Sequence, residues 1–338
     1  MVIVIRIDIV GGSLGGLSAA LSLKRLDRTL DVVVHEKYNA IGYNHEGRRC
    51  GEGYEIEPDW NHWQPTERSI FNHIQQIETI VGKKTYRAHQ PPGTFYMLNR
   101  QEFICQLARD AEGLDVEINT GDKIHSVDEL DGEYIVDASG CPSTIKKSLG
   151  LHQGIVGSTY QQTIEGCNWF APHVIKVIFF DASGYYWVFP RDPKKREINL
   201  GLGIVSGHHQ NLKQMLEDFK SYHQIEGTVN YVTGGLIPAG LQRPLRHRNI
   251  LFVGDAGVGT FPLLGAGIYR ALLSGEIAAK CLVRHRPEQY PYKIYQAFIK
   301  WEVLGKTFLH MSNVLGHIGK HALFAFYHAY LDVWYSSH

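Results

Sequence analysis

The sequence predicts an α/β fold. In this fold a three-layer Rossmann-like domain is interleaved with an antiparallel-sheet domain and followed by a helical C-terminal region. A glycine-rich loop follows an apolar N-terminal segment, and a second strand–glycine loop–helix unit begins at Leu251. Runs rich in β-branched and aromatic residues, separated by turn formers, occupy 173–205 and predict an antiparallel meander. Because the two glycine-rich units lie near opposite ends of the chain, the domain that they build must be discontinuous in sequence.

The N-terminal unit has the pattern of a dinucleotide-binding loop. Val2–Val10 reads as a buried strand, the loop Gly11–Gly16 follows with the sequence GGSLGG, and a helical pattern comes next. A second strand, Asp31–His35, ends at Glu36, twenty residues after the last glycine of the loop. In this pattern the loop sets a pyrophosphate on the N-terminus of the helix, and the acid binds the ribose hydroxyls.

Ser13 stands where the dinucleotide pattern usually has its middle glycine. Serine is the next smallest choice, and its hydroxyl could donate a hydrogen bond to a phosphate. The cofactor contacts predicted at this end of the chain are Gly11, Ser13, Leu14, Gly15, Gly16, Glu36 and Lys37.

The segment Leu251–Ser274 predicts a second approach to the same ligand. A strand ends at Gly254 and Asp255, and a helix opens at Gly265, Gly267 and Ile268. A carboxylate at a strand end can accept two hydroxyl hydrogen bonds from a sugar-like polyol. The glycines let the backbone approach a flat ring, and the new helix offers free N–H groups. Taken alone, the segment also fits an ordinary strand–loop–helix turn.

Together, the two units resemble the FAD-binding halves of the glutathione-reductase-like flavoproteins that include the aromatic hydroxylases. Asn99 reads as the N-cap of a helix, with Glu102 three residues on, and Val136–Gly140 reads as a strand that enters a tight turn. The resemblance implies that Arg100 reaches the flavin side of FAD and that the 136–140 segment passes close to the cofactor. Arg100 also fits a solvated charge in the first turn of a helix.

Two further motifs resemble the geranylgeranyl reductase family. Arg48–Gly53 places a cysteine in a glycine-rich loop, and Tyr185–Pro190 followed by Gly201–Gly203 matches Y-x-W-x-F-P…G-x-G. Asp137–Thr144 and Gly267–Ala279 are also similar to that family. The resemblance covers about the first 285 residues.

This resemblance implies an FAD-dependent reductase that saturates double bonds of geranylgeranyl-type isoprenoid chains in prokaryotic lipid, quinone or pigment synthesis. The alternative is a flavin monooxygenase or halogenase of the same fold that acts on an aromatic substrate. A flavin-containing binding or sensory protein is a third possibility. There is no second dinucleotide pattern, so a pyridine nucleotide, a deazaflavin or a ferredoxin could each be the electron donor.

Cys50 is the predicted catalytic residue, with Arg49 and Gly51 beside it as further cofactor contacts. The thiol could tune the flavin, gate the substrate or donate a proton, and its arginine neighbours would lower its pKa. A small buried cysteine is the alternative interpretation.

The predicted substrate-binding residues are Tyr185, Trp187 and Phe189. Because they alternate along a strand, Trp187 and Phe189 share one face. That face could line a channel for an isoprenoid chain, or it could belong to an aromatic core.

Composition narrows the class of protein. A chain of 338 residues with 44% hydrophobic content can bury a large core. Its 34 acidic and 34 basic residues balance, so it lacks the excess positive charge that is typical of nucleic-acid-binding proteins. Five cysteines without paired spacing suit a reducing compartment. The sequence shows no signal peptide and no apolar run of about 18 residues, which predicts a cytoplasmic protein.

The predicted domains are interleaved along the chain. The FAD-binding domain takes 1–56, 98–150 and 246–285, and the substrate-binding domain takes 57–97 and 151–245. The segment 57–97 lacks sustained periodicity, whereas 151–245 contains the meander and a helix over about 212–225. Residues 286–338 form the helical C-terminal region.

Four histidines align on one face of the predicted C-terminal helix, namely His310, His317, His321 and His328. Because no carboxylate or cysteine accompanies them, they favour the polar face of an amphipathic helix, and a metal site with His317 and His321 as ligands is the alternative. Such a helix would suit packing on the protein's own core, or peripheral contact with a membrane surface that supplies a lipid substrate.

Overall fold

A computed structural model describes residues 4–42, 50–56, 63–181, 184–205, 211–262 and 264–307 of the chain. Within these ranges the chain folds into a mixed α/β structure with three sheets, as the sequence predicts. The four histidines of the C-terminal stripe and Arg49 lie outside the described residues. None of the helices in these ranges combines the length and the apolar character that a membrane span requires.

The strands are short, except in the sheet that carries the meander. They are β1 (Arg6–Val10), β2 (Asp31–Glu36), β3 (Gly53–Glu55), β4 (Ile70–His73), β5 (Gln76–Val81), β6 (Lys84–His89), β7 (Phe95–Leu98), β8 (Glu117–Thr120), β9 (Tyr134–Asp137), β10 (Val156–Glu165), β11 (Val174–Asp181), β12 (Gly184–Asp192), β13 (Glu197–Ile204), β14 (Thr228–Pro238), β15 (Arg246–His247) and β16 (Ile250–Phe252). The helices are α1 (Leu14–Leu26), α2 (Arg100–Glu112), α3 (Thr144–Ser148), α4 (Leu212–Tyr222), α5 (Ile268–Val283) and α6 (290–307).

The first sheet has the strand order β15-β16-β9-β1-β2-β8. All neighbours pair in parallel except β15 and β16. Alternate residues of its central strands face opposite layers. Ile9 and Val136 belong to the core shared with α1, α2 and α5, whereas Val10 and Ile135 pack with Ile145 of α3. The three layers are therefore long helices, a parallel sheet, and a short helix with its loops.

Helices α1 and α5 approach each other through glycine. A Cβ atom at Gly275 would lie 2.5 Å from the carbonyl oxygen of Gly15, so a larger residue would push the helices apart. The hydroxyl of Ser18 donates to the carbonyl of Leu272 at 2.6 Å. This close packing places the first turn of α1 beside the first turns of α5.

The second sheet has the strand order β14-β10-β13-β12-β11-β5-β6, and only β11 and β5 pair in parallel. One of its faces is covered by α4, through Leu216 and Phe219. The other face packs against Phe95 and Met97 of β7, in the third sheet, which has the order β3-β7-β4. The second sheet thus lies against the segment that follows the Cys50 loop.

The predicted meander is confirmed by β11, β12 and β13, and the predicted helix after it ends at Tyr222 rather than near residue 225. The first strand begins at Arg6, later than predicted. The segment 57–97 has more regular structure than its sequence indicates, since it contributes β4 to β7. The strand β7 is buried at all four positions and therefore shows no alternation of apolar and polar residues.

Candidate functional site

Adjacent parallel strands of the first sheet end along one edge, and the predicted cofactor residues follow them. Val10 pairs in register with His35 on one side and with Asp137 on the other, and Asp137 pairs with Phe252. The glycine loop, Glu36 and Asp255 therefore emerge side by side. In open α/β sheets, ligands bind in the crevice outside the carboxyl ends of the strands.

The glycine loop needs glycine at both ends. Gly11 has φ of +110°, and a Cβ atom there would lie 2.5 Å from the carbonyl oxygen of Ala138. A Cβ atom at Gly16 would collide with the carbonyl oxygen of Gly11. The side chain of Ser13, at the N-cap of α1, makes no capping hydrogen bond. The first-turn N–H groups of α1 and the Ser13 hydroxyl are thus free to bind an anionic group.

Glu36 is buried beside this loop. One of its carboxylate oxygens accepts from the backbone N–H of Gly12 at 2.8 Å, and the other from that of Tyr38 at 3.0 Å. Each oxygen keeps a further acceptor position, which suits two neighbouring hydroxyls. Lys37 is exposed, with its ammonium 4.9 Å from the centre of the Tyr38 ring.

Asp255 follows β16 along the chain, and its carboxylate lies close to the N-terminus of α5 in space. A Cβ atom at Gly267 would be 3.8 Å from Oδ1 of Asp255, and the Gly254 N–H donates to the Ser274 hydroxyl at 2.9 Å. Burial raises the pKa of Asp255, and the charges of Arg100 and Arg270 oppose this rise. Among the described residues, no hydrogen bond to the carboxylate contributes to that balance. A ligand with hydroxyl groups would supply the hydrogen-bond donors that this carboxylate lacks.

Arg100 begins α2 and points towards the same region. Its charge acts on both Cys50 and Asp255, which come from two other segments of the chain. Within the described part of the chain, its buried Nε has no hydrogen-bond partner. Buried donors are almost always satisfied, so this nitrogen indicates a missing acceptor rather than a solvated charge.

The cap of α2 forms only in part. The Asn99 side chain accepts from the backbone N–H of Glu102 at 3.3 Å, as predicted. The carboxylate of Glu102 does not return a bond to Asn99 but accepts from Arg109 at 2.7 Å. An arginine two turns along the helix offers a charged donor, which competes with the neutral backbone N–H.

Cys50 is half-buried, and the surroundings of its sulfur favour the protonated thiol. Its sulfur accepts from the backbone N–H of Glu52 at 3.1 Å. Burial raises its pKa more than the charge of Arg100 lowers it. The expectation of a lowered pKa is therefore wrong, because removal of the thiol from water outweighs the nearby positive charge.

The three predicted substrate residues lie on one face of β12. The ring centres of Tyr185 and Trp187 are 5.8 Å apart, and those of Trp187 and Phe189 are 6.4 Å apart. The Trp187 indole is 7% exposed and its N–H donates to Oε1 of Gln161 at 3.0 Å. Tyr185 and Phe189 are more exposed than Trp187 and flank it.

This aromatic face bridges two loops of the candidate site. A Cβ atom at Gly51 would lie 3.0 Å from the ring of Phe189, so the ring rests on the Cys50 loop. At the other end, the Tyr185 hydroxyl donates to the carbonyl of Leu264 at 2.5 Å, directly before Gly265. Gly265 has φ of +65°, which favours glycine in this turn. The strand therefore lies across both the cysteine loop and the loop that opens α5.

Sequence reasoning missed a buried polar network behind the Cys50 loop. Arg191 pairs with Glu52 at 2.5 Å and also with Glu197. Asn199 reaches the same loop, and its Nδ2 lies 3.1 Å from the Glu52 carboxylate. The available signal was weak: single polar residues interrupt strands that are otherwise apolar, where asparagine is uncommon.

Sequence reasoning also missed the anchor of the loop after Asp255. Arg270 donates to the carbonyls of Val258 and Gly259, at 2.8 and 3.0 Å, and pairs with Glu302 of α6. Its guanidinium lies 4.5 Å from the centre of the Phe298 ring. The signal here was a lone charge in the apolar stretch GIYRALLS.

A third buried group lies beside the end of β9. Asp137 accepts from the Ser143 hydroxyl at 2.5 Å and from the backbone N–H of Ser139 at 2.9 Å. Lys146 is fully buried, donates to the carbonyl of Gln242, and has its pKa lowered to about 8 by burial. These contacts fix the turn that follows β9 and link α3 to Gln242.

Comparison with known proteins identifies relatives of this chain, although no protein-family model matches it. A digeranylgeranylglycerophospholipid reductase from Methanocella arvoryzae is 28% identical over 340 aligned positions, which cover 88% of this chain and 82% of that protein. A protein named digeranylgeranylglycerophospholipid reductase 2 from Methanococcoides burtonii is 25% identical and covers 81% and 74%. The resemblance to geranylgeranyl reductases that the motifs predict is thus confirmed.

Solved structures show the same fold. A geranylgeranyl bacteriochlorophyll reductase-like protein from Thermoplasma acidophilum has a TM-score of 0.77 at 19% identity, over 95% of this chain and 90% of that chain. A flavin-dependent halogenase from Xanthomonas campestris has a TM-score of 0.65 at 15% identity, over 92% and 78%. The chain therefore has the fold that flavin-dependent oxidoreductases and halogenases share.

Proposed function

We propose that this chain binds FAD at the carboxyl edge of the first sheet and uses it to saturate double bonds of geranylgeranyl-type isoprenoid chains. The observation that carries the proposal is the convergence of Asp255, Arg100 and Cys50, from three separate segments, beside the aromatic face of β12. The names of the relatives support the same reaction class.

The groups at this edge fit the parts of FAD in order. The first turn of α1 would hold the pyrophosphate, and Glu36 would accept the adenosine ribose hydroxyls. The half-buried carboxylate of Asp255 would accept hydroxyls of the ribityl chain, and Arg100 Nε would find its acceptor on the flavin side. Gly51, Gly265, Gly267 and Ile268 would let the backbone approach the ring.

Reduced FAD, when bound, would supply a hydride to one carbon of the double bond, so a proton would have to reach the other carbon. We assign this proton to Sγ of Cys50, because the Cys50 loop lies against Phe189 of the aromatic face and burial favours the protonated thiol. The thiolate that remains is stabilised by the charge of Arg100, which lowers the pKa of this sulfur. Water then returns the proton to the thiol.

The aromatic face of β12 suits a hydrocarbon substrate. Its two polar atoms are already satisfied within the protein, since the Tyr185 hydroxyl binds the Leu264 carbonyl and the Trp187 N–H binds Gln161. Only apolar ring surface, with that of Phe189, is left for a ligand. An isoprenoid chain would therefore meet no unpaired polar group here, which would oppose its binding.

The remaining assignments belong to the same proposal. The electron donor is a pyridine nucleotide, a deazaflavin or a ferredoxin, and the protein acts in the cytoplasm with peripheral contact to the membrane that holds its lipid substrate. The FAD-binding domain spans 1–56, 98–150 and 246–285, and the substrate-binding domain spans 57–97 and 151–245.

An anaerobic single-turnover experiment tests this function. The photoreduced holoprotein is mixed with a geranylgeranyl-bearing lipid, and flavin absorbance and the lipid mass are followed. A reductase reoxidises its flavin without oxygen and yields a product heavier by the added hydrogens. The fully saturated lipid is the matched control and should leave the flavin reduced. Reoxidation that requires oxygen would favour a monooxygenase or halogenase, and protein that cannot be reconstituted with FAD would overturn the proposal.

A further inference from the structure

We infer that Asn199, on β13, is a positioning residue that holds the Cys50 loop against the strand that binds the substrate. The inference rests on the proposed function, since it concerns how the proton donor is placed. Asn199 is fully buried and lies in the second sheet. Cys50 lies in the segment of chain that connects β2 of the first sheet to β3 of the third. A residue that ties the loop to the second sheet also fixes its distance from the substrate.

The amide of Asn199 faces three acceptors on the loop. Its Nδ2 lies 3.3 Å from the carbonyl oxygen of Gly51, 3.5 Å from that of Cys50 and 3.1 Å from the Glu52 carboxylate. The orientation of this amide is determined, because these carbonyl and carboxylate oxygens can only accept, and Oδ1 is left to accept from the Thr163 hydroxyl at 2.8 Å. The nitrogen therefore points at the loop.

The loop that Asn199 holds is in a costly backbone conformation. Glu52 has φ of +64°, in the left-handed region that glycine adopts readily and most other residues avoid. In this conformation the Glu52 N–H donates to the Cys50 sulfur at 3.1 Å. Such a conformation persists only when its surroundings hold it. Here Arg191 and Asn199 both bind the Glu52 carboxylate.

The same residue lies next to the substrate strand. Asn199 pairs in register with Phe189 across β13 and β12, and cross-strand partners on one face are direct neighbours. The Phe189 ring also rests on Gly51. A second amide supports the arrangement, since Gln161 donates to the Cys50 carbonyl at 3.3 Å and accepts from Trp187 at 3.0 Å. One set of contacts therefore fixes the Cys50 loop and the aromatic face relative to each other.

Alkylation of Cys50 in the holoprotein tests this role without any substrate. Iodoacetamide labelling is followed across a pH series by peptide mass spectrometry, which separates Cys50 from Cys105 and Cys141, since all three are half-buried. Asn199→Ala releases the loop, so we expect labelling at pH 8 to rise about tenfold and its midpoint to move down towards about 8.5, the value of a free thiol. Asn199→Leu keeps a branched side chain of similar shape, removes the amide without adding a charge, and should behave like Asn199→Ala.

Asn72→Ala is the matched control. Asn72 is also buried and donates to a backbone carbonyl, that of Pro190 at 2.7 Å, and has no hydrogen bond to the described part of the Cys50 loop, 50–53. This variant should label at the wild-type rate. If Asn199→Ala does not fold, the uncharged Asn199→Leu decides the question by itself. Wild-type labelling and pH dependence in a folded Asn199 variant would overturn the inference.

Turnover separates this inference from the proposed function. If both hold, Asn199→Ala should lower kcat for alkene reduction about tenfold with little change in KM, because the substrate wall remains. If the wild-type protein reduces no alkene but the Asn199 variants still release the thiol, the proposed function fails and the positioning role stands. If the wild-type protein is active and the variants label at the wild-type rate, the proposed function stands and the positioning role fails.

Discussion

Arg270 and Glu302 form an ion pair of 2.6 Å between the first turn of α5 and the C-terminal helix α6. Both side chains are buried, at 4% and 3% exposure. The other oxygen of Glu302 accepts from the backbone N–H of Leu241 at 3.0 Å, and Arg270 binds the carbonyls of the loop that follows Asp255. The described part of α6 is thereby linked to the cofactor side of the first sheet, 32 residues back along the chain.

Removal of Glu302 should destabilise the fold strongly. Glu302→Ala leaves the Arg270 charge buried without a partner of opposite charge, which costs about 3–5 kcal/mol. The free energy of unfolding, measured in urea, checks this. Lys306→Ala is the control: Lys306 contacts the same carboxylate at 3.1 Å but is 36% exposed, so its loss should cost about 1 kcal/mol or less. Equal effects of the two substitutions would show that the buried pair does not stabilise the fold.

Asp255→Ala should strip much of the flavin from the protein. The ribityl hydroxyls would lose their acceptor inside the fold, where an unsatisfied polar group costs about 1–3 kcal/mol. Flavin content per protein, from absorbance after gel filtration, measures the loss. Asp255→Asn keeps one acceptor oxygen and should retain more flavin than Asp255→Ala. Full flavin content in Asp255→Ala would contradict the assignment of this carboxylate.

The glycine loop and Asp255 were predictable from sequence because their signal is local. A strand, a few glycines and a helix follow one another within each short segment, and each residue type has its own steric or hydrogen-bonding reason. The meander was predictable for the same reason, since turn formers separate its three strands.

The convergence of Arg100 and Cys50 on Asp255 could not be predicted in this way, because it depends on the strand order. Asn199 was missed since its acceptor on Gly51 is 148 residues away along the chain. The pKa of Cys50 was predicted in the wrong direction because charges can be read from neighbouring residues, whereas burial depends on the whole fold.

His35 should make stability depend on pH. Its ring nitrogens bind Asp8 at 3.1 Å and Asp122 at 2.7 Å. Burial alone would lower its pKa, but the bonds to the two carboxylates outweigh burial and raise it. The stabilisation is therefore fully present below the ordinary histidine pKa of about 6.5 and is lost as the pH rises through the higher folded value.

Unfolding of the wild type and of His35→Gln between pH 6 and pH 9 would measure this effect. The wild type should exceed the variant by more at pH 6 than at pH 9. His152→Gln, at an exposed histidine, should show no such trend. A stability gap between the wild type and His35→Gln that does not change across this range would mean that the His35 imidazole does not gain charge in the fold.

Cys50→Ala should retain FAD but reduce alkenes poorly. The glycines of the loop, rather than the thiol, would position the cofactor, whereas a general acid typically contributes a factor of about 100 or more to the rate. Flavin content and single-turnover rates, recorded across a pH series, separate the two effects. Unchanged turnover at every pH would show that the thiol serves only in packing.

Trp187→Ala should change which double bonds are reduced, or weaken the binding of long chains, while flavin content stays near that of the wild type. The substitution removes the central ring of the aromatic face and the donor to Gln161, whose amide also binds the Cys50 carbonyl. Trp187→Phe keeps an aromatic wall and loses only the donor, so it should alter the rate more than the product pattern. Product masses after turnover of geranylgeranyl lipids distinguish these outcomes.

Gly201→Ala offers a test from the opposite side of the indole. Gly201 pairs in register with Trp187 across β13 and β12, and a Cβ atom at Gly201 would collide with the Trp187 ring. The added methyl group should therefore displace the ring without removing it, and the product pattern should shift as in Trp187→Ala. If Gly201→Ala and Trp187→Ala both leave chain-length preference and product pattern unchanged, Trp187 belongs to the core of the sheet and the substrate wall lies elsewhere. Displacement matters here because Trp187 has so little free space: its ring is held between Tyr185 and Phe189 on its own strand and the glycine on the next.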